Sequence, residues 1–220
     1  PQRPVFDYSY DGVMRSVEDS QRRTGLERID IFWIHDPDRH WEQAIGGAYP
    51  ALAELRSQGL VSAIGVGMNQ AEMLTRFVRE AEIDAVMCAG RYTLLDQVAL
   101  EELFPACEAR GTVVVAAGVM NSGLLANPHP DSKFDYAPAP PELLRRALAM
   151  KDICDRHGVS LRAAAMEFVF GLALVVSVVA GVRSVSHVDD AVANMQWDIP
   201  AALWDEFRSE GLLPDGVPTP

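Results

Sequence analysis

Lysine is almost missing from this chain: Lys133 and Lys151 are the only two in 220 residues. Nineteen basic residues face 31 acidic ones, for a formal net charge of -12. Such a surface repels phosphate backbones and anionic bilayers, so nucleic acid and membrane surfaces are not expected as partners. Cysteine is scarce as well. Cys88, Cys107 and Cys154 are odd in number and widely separated, which excludes a disulfide framework and a metal-ligand spacing and points to a reducing, cytoplasmic compartment. Cys88 and Cys107 fall at apolar positions and read as small core residues. No apolar run reaches the roughly 18 residues that a membrane-spanning helix needs. The longest, Leu172 to Gly181, is broken by Ser177 and reads as a strand. Neither a G-x-G-x-x-G nor a G-x-x-x-x-G-K-S/T follows any predicted strand, so a Rossmann or P-loop site is not supported. No secretory leader pattern is read in the opening residues. The start at Pro1 rather than Met leads us to expect residues upstream.

What is present is an alternation of apolar strands and amphipathic helices. With 49% hydrophobic and 23% charged residues, residues 1–220 can bury one sizeable core as a single domain. Residues 29–38, Ile-Asp-Ile-Phe-Trp-Ile-His-Asp-Pro-Asp, form a β-branched and aromatic run that stops at a histidine, and Pro37 forbids its continuation. This places His35 at the carboxyl end of a buried strand. Further strands are predicted at 61–67, 84–89, 112–117 and 175–180. Helical spacing is read at Val13, Met14 and Val17 with a stop at Gly25, and at Ala48, Ala51, Leu52 and Leu55 with a stop at Gly59. It recurs at 73–81, 100–107, 142–157, 160–170, 189–195 and 200–212. Residues 127–141 are rich in proline and acid and read as a long surface loop. Five near-continuous apolar strands between helices imply a parallel sheet covered on its faces, an α/β architecture. Gly65, Gly67, Gly90, Gly118 and Gly181 cluster at strand exits, which suits close backbone approach to a ligand.

These residues resemble the aldo-keto reductase family. The likeness is carried by Ile34-His35-Asp36-Pro37-Asp38, Gly65-Val66-Gly67-Met68-Asn69-Gln70, Ala89-Gly90-Arg91-Tyr92-Thr93-Leu94-Leu95, Asn121-Ser122-Gly123-Leu124-Leu125 and Gly181-Val182-Arg183-Ser184. Within the family the chain is most similar to the aldose dehydrogenase branch, and the match covers the carboxyl-terminal two thirds. The resemblance implies a (β/α)8 TIM barrel, partial here, with about five parallel strands and the first three βα units absent. It also implies an NAD(P)-dependent oxidoreductase that passes a hydride between nicotinamide and a sugar or small alcohol or aldehyde, with NAD favoured over NADP. The family's catalytic tetrad is Asp, Tyr, Lys and His, and His35 matches its histidine. Gly67 and Asn69 match the segment that faces the nicotinamide carboxamide. The family's next glutamine is Ala89 here, and its stacking aromatic is replaced by Gly118-Val119-Met120. Gly181, Arg183, Ser184, His187 and Asp190 match the segment that grips the adenosine phosphate and adenine. Arg183 reads equally as a phosphate ligand or as a solvated charge at a helix start.

The tetrad's Asp, Tyr and Lys belong to the first three strand ends of the family barrel, upstream of Pro1. Lys133 in the proline-rich loop and Lys151 in a helix do not replace the lysine, and Tyr92 reads as a packing residue. The chain is therefore expected to be amino-terminally incomplete, inactive as a dehydrogenase by itself, and prone to associate through its strand edges. Two other readings remain. One is a non-catalytic module of the same fold that binds a nucleotide or a partner. The other is a metal-dependent TIM-barrel hydrolase using His35, Asp36, Asp38 and His40, although no other strand end supplies a ligand.

Overall fold

Each predicted strand forms, because every one is a short apolar run with a helix on either side in sequence. The structure, a computed structural model, describes residues 5–220. Pro1, from which the sequence-based domain is counted, lies outside the described residues. The strands β1 (Ile29–His35), β2 (Val61–Met68), β3 (Ala85–Ala89), β4 (Val113–Ala117) and β7 (Val175–Val179) form one five-stranded sheet in the order β1-β2-β3-β4-β7. The pairs β1–β2 and β4–β7 are parallel. A second, two-stranded antiparallel sheet pairs β5 (Lys133–Phe134) with β6 (Ala137–Pro138). The described backbone divides into two compact units: residues up to 87 with 102–113, and residues 88–101 with 114–220.

In the first unit α1 (Tyr10–Thr24) is opened by Ser9, whose side chain accepts the Gly12 amide, and is closed by Gly25 at φ 73°. That left-handed turn is the helix stop the sequence predicts. Between β1 and β2 the helical segment is longer than expected. It begins with α2 (Trp41–Gln43), passes through a π-turn over Ala44–Ala48, and continues as α3 (Tyr49–Ser57). Gly46, Gly47 and Pro50 read as helix breakers, which hid this first half. The π-turn accommodates Pro50, because the Tyr49 amide reaches back five residues to the Ala44 carbonyl and the wider turn makes room for a ring without an N–H. The two glycines differ sharply. A Cβ on Gly46 would meet nothing within 4 Å, whereas one on Gly47 would lie 2.6 Å from the Tyr8 carbonyl oxygen. The helices α4 (Ala71–Glu80) and α5 (Leu103–Arg110) complete this unit, and Gly111 caps α5 at φ 69°.

Two expectations about β1 and β2 change. The first strand is not buried: Ile34 is its only fully buried residue, since β1 lies at the edge of the sheet and its outer faces are incompletely covered. Gly65 is explained by packing inside the unit rather than by a ligand, because a Cβ there would lie 2.2 Å from the Trp33 ring. At Gly67 a Cβ would lie 3.2 Å from the Met87 Cβ, a tight fit but not a clash.

The second unit holds α6 (Pro141–His157), α7 (Leu161–Glu167), α8 (Val185–Met195) and α9 (Ala201–Ser209). Its core includes a run of aromatic contacts, Tyr92–Phe168–Trp204–Phe207, with centroids 5.1, 6.3 and 6.0 Å apart in turn. Tyr92 is thus a packing residue, as its sequence context suggests. The segment read as a loop carries the β5–β6 hairpin, whose turn residues Asp135 and Tyr136 both take positive φ (48° and 64°). Sequence signals for such a turn are Asn-Gly or Asp-Gly, and Asp-Tyr hides it. The Asp135 carboxylate accepts from Arg91 at 2.6 Å, and the Tyr136 amide donates to the Ser122 hydroxyl, which hold the hairpin in place.

All three cysteines are buried and outside any disulfide. Burial pushes the thiols of Cys107 and Cys154 from 9.0 up to about 12. Between those values an unfolded chain gives up these protons while the folded chain keeps them, so stability is intact below pH 9 and falls as pH rises. Each thiol is expected to remove about 1.4 kcal/mol per pH unit in that window. Thermal melting from pH 7 to 11 checks this, and Cys107→Ala or Cys154→Ala should each flatten the alkaline limb.

Candidate functional site

The candidate residues fall in both units, and each unit organises its own set. In the first, the β1–β2 register places His35 opposite Gly67. The Asp36 amide donates to the Gly67 carbonyl at 2.9 Å, so the two strand exits are tied together one residue past the histidine. The His35 side chain is 76% exposed, which excludes a satisfied core histidine. Its nearest charged neighbour is Asp36, with Nδ1 3.7 Å from Oδ2. Asp36 itself takes φ 49°, a conformation that L residues seldom adopt and that turns the chain sharply away from the strand. Asn69 follows β2 and is half-buried. An exposed imidazole at a strand exit can donate or accept a hydrogen bond to an oxygen of a bound molecule.

Sequence reasoning missed Tyr8. It is buried, and its hydroxyl donates toward two carbonyl oxygens, of His35 at 2.6 Å and Asp36 at 2.9 Å. Burial, with Asp36 and Asp38 nearby, pushes its phenol up to about 12. That is the wrong direction for a proton-transfer tyrosine at neutral pH, so Tyr8 does not take the place of the family's acid–base tyrosine. The other hydroxyls are also occupied or unsuited. Tyr10 donates to Glu54, Tyr49 accepts the Glu82 amide, Tyr92 is buried and Tyr136 is exposed on the hairpin. Lys151 is held by Asp155 and Lys133 stands exposed in β5. None of these geometries couples a tyrosine to a lysine.

In the second unit Gly181, Arg183, Ser184, His187 and Asp190 surround the start of α8, and all are exposed. The Ser184 hydroxyl caps the helix by accepting the His187 amide at 3.2 Å, and the Arg183 amide donates to His187 Nδ1 at 3.3 Å. Ser184 and His187 thus shape the turn that presents Arg183. Asp190 is engaged by Arg162 at 2.8 Å. A Cβ on Gly181 would meet nothing within 4 Å, so the approach to the helix start is open. An open glycine, a guanidinium and the positive end of an 11-residue helix form a donor set that fits a phosphate group.

Two cavities, of about 510 and 550 Å³, lie one in each unit, and neither is lined by any of these residues. Among the described residues no three His, Cys, Asp or Glu side chains come together as a metal site, the His35–His40 run included. No described helix is long and apolar enough to cross a membrane.

Comparison with known proteins gives these two clusters a context. A profile of the aldo/keto reductase family matches residues 1–209. The chain is 44% identical to a pyridoxal 4-dehydrogenase of Microbacterium luteolum, an alignment covering 96% of this chain and 65% of the relative. It is 43% identical to a D-threo-aldose 1-dehydrogenase of a Pseudomonas species, with the same coverages of 96% and 65%. It therefore spans about two thirds of the length of these curated relatives. Among solved structures, an aldo-keto reductase of Bacillus halodurans in its holo form superposes with a TM-score of 0.75 at 22% identity, covering 96% of this chain and 70% of that one. A glycerol dehydrogenase of Gluconobacter oxydans gives a TM-score of 0.71 at 21% identity, covering 98% and 68%.

Proposed function

Because the chain belongs to the aldo/keto reductase family, we propose that it is the histidine-bearing and cofactor-gripping part of an NAD(P)-dependent oxidoreductase built on a (β/α)8 barrel, of which residues 1–220 supply five parallel strands. The substrate is a sugar or a related small alcohol or aldehyde, oxidised at a carbinol carbon or formed by reduction of a carbonyl. The observation that supports this reading most is the exposed His35 side chain at the exit of β1, in register with Gly67, which lies two residues before Asn69 in sequence.

His35 orients the substrate oxygen through its ring nitrogens. Gly67 and Asn69 present backbone and amide groups to the carboxamide of the nicotinamide. Arg183, set by the Ser184–His187 cap, holds a phosphate of the cofactor, and Gly181 leaves room for it. Asp190 meets the adenosine end with its carboxylate fixed by Arg162. When bound, the cofactor supplies the hydride acceptor or donor. The chain's part is to place an oxygen and a phosphate. The proton transfer belongs to a tyrosine and lysine that the geometries described above do not provide. The three buried cysteines, none of them in a disulfide, support a reducing compartment, which we take as cytoplasmic.

NAD is favoured because Gly181-Val182 offers no lysine for a 2′-phosphate and Asp190 places a carboxylate in the same segment. Steady-state kinetics of the intact enzyme with NAD or NADP and a panel of aldoses and pyridoxal tests this reading. Turnover of an aldose with NAD is expected. Strict NADP dependence overturns the preference and makes Arg183 the suspect 2′-phosphate ligand. Cofactor binding without turnover of any substrate favours the non-catalytic module instead.

A further inference from the structure

A strand exit that must present a side chain to a substrate needs its backbone fixed, and here it is fixed from the far end of the first unit's opening segment. Tyr8 lies 27 residues before His35, just outside α1, and its hydroxyl reaches the carbonyls of both His35 and Asp36. Between those two carbonyls sits the left-handed Asp36, whose amide is held by Gly67. The peptide on either side of the turn is therefore bonded on both flanks. Tyr8 in turn is held by its neighbours. Its ring lies 5.3 Å from His40 and 6.3 Å from Phe6, and its amide donates to the Gln43 side chain at 3.4 Å. Its carbonyl oxygen packs against Gly47, where a Cβ would come within 2.6 Å.

We infer that Tyr8 is a positioning residue for His35, fixing the His35–Asp36 backbone so that the imidazole stands at one angle at the strand exit. The inference rests on the reading that His35 meets the substrate oxygen. Small misplacements of a substrate-orienting group lower rate far more than they lower fold stability, because the reacting atoms must be aligned within a fraction of an ångström. The hydroxyl does not touch substrate. It acts through the histidine.

The test is a double-mutant cycle in the intact enzyme with Tyr8→Phe and His35→Ala, read as kcat, substrate KM and cofactor Kd. Phenylalanine keeps the ring against His40 and Phe6 and removes only the hydroxyl. Tyr8→Phe is expected to lower kcat about tenfold or more with cofactor Kd unchanged, and to have less than about a twofold effect in the His35→Ala background, since its route to the reaction is then gone. An unchanged kcat in Tyr8→Phe, with His35→Ala strongly impaired, overturns the inference and leaves the role of His35 standing. Equal losses from Tyr8→Phe in both backgrounds, accompanied by a lower melting temperature, overturn it in favour of a purely structural tyrosine. An unimpaired His35→Ala enzyme removes the reading on which the inference rests, and the inference falls with it.

Discussion

Replacing His35 with alanine in the intact enzyme should lower kcat by about 10²–10⁴-fold, the range that positioned proton-handling and oxygen-orienting side chains contribute. This corresponds to about 3–5 kcal/mol of transition-state stabilisation. Affinity for the nicotinamide cofactor should not change, because Gly67 and Asn69 and the start of α8 carry that binding in the proposed arrangement. The fold should not notice either. With 76% of its side chain exposed, His35 leaves no cavity when truncated, and its backbone bonds to Tyr8 and Gly67 do not depend on the imidazole. The measurement is kcat and cofactor Kd side by side, with a melting curve as control. Parallel losses of turnover and cofactor affinity, or a marked drop in melting temperature, would defeat the assignment.

The second large effect concerns stability. Trp204→Ala should destabilise the protein by about 3–5 kcal/mol, the cost of emptying a large buried aromatic site. Trp204 is 2% exposed on α9 and joins Phe168 on one side to Phe207 on the other. Trp197, 43% exposed between α8 and α9, supplies the contrast: its replacement by alanine should change stability by no more than about 0.5 kcal/mol. Urea titrations of the two variants decide the matter. Similar midpoints for both would mean that the aromatic run does not form the core of this unit.

The strands of the five-stranded sheet were legible because each is a short apolar run, and all but β2 end within two residues of a glycine or proline. The same holds for the helix end at Gly25, which takes the left-handed cap conformation. His35 was legible as a strand exit, since Pro37 follows it at once. What was hidden needed three dimensions. The exposure of β1 depends on the sheet order, which no local pattern encodes. The helical start at Trp41 was masked by Gly46, Gly47 and Pro50, whose effect the π-turn absorbs. The hairpin at 133–138 turns on Asp135 and Tyr136, residues that carry no strong turn signal. Tyr8 was passed over because its partners lie 27 and 28 residues away, and nothing in the spacing of a lone tyrosine before a helix announces them. The glycine at 65 was read as ligand-facing and proves to be demanded by the Trp33 ring.

The neighbouring glycines at 46 and 47 sit in one turn and live under different rules of descent. At 46 the chain is open to solvent, and a Cβ meets nothing within 4 Å. At 47 even a methyl group would strike the backbone that carries Tyr8. Along any lineage that keeps this fold, the first position is free to drift while the second can change only together with the segment that holds the histidine's strand exit in place.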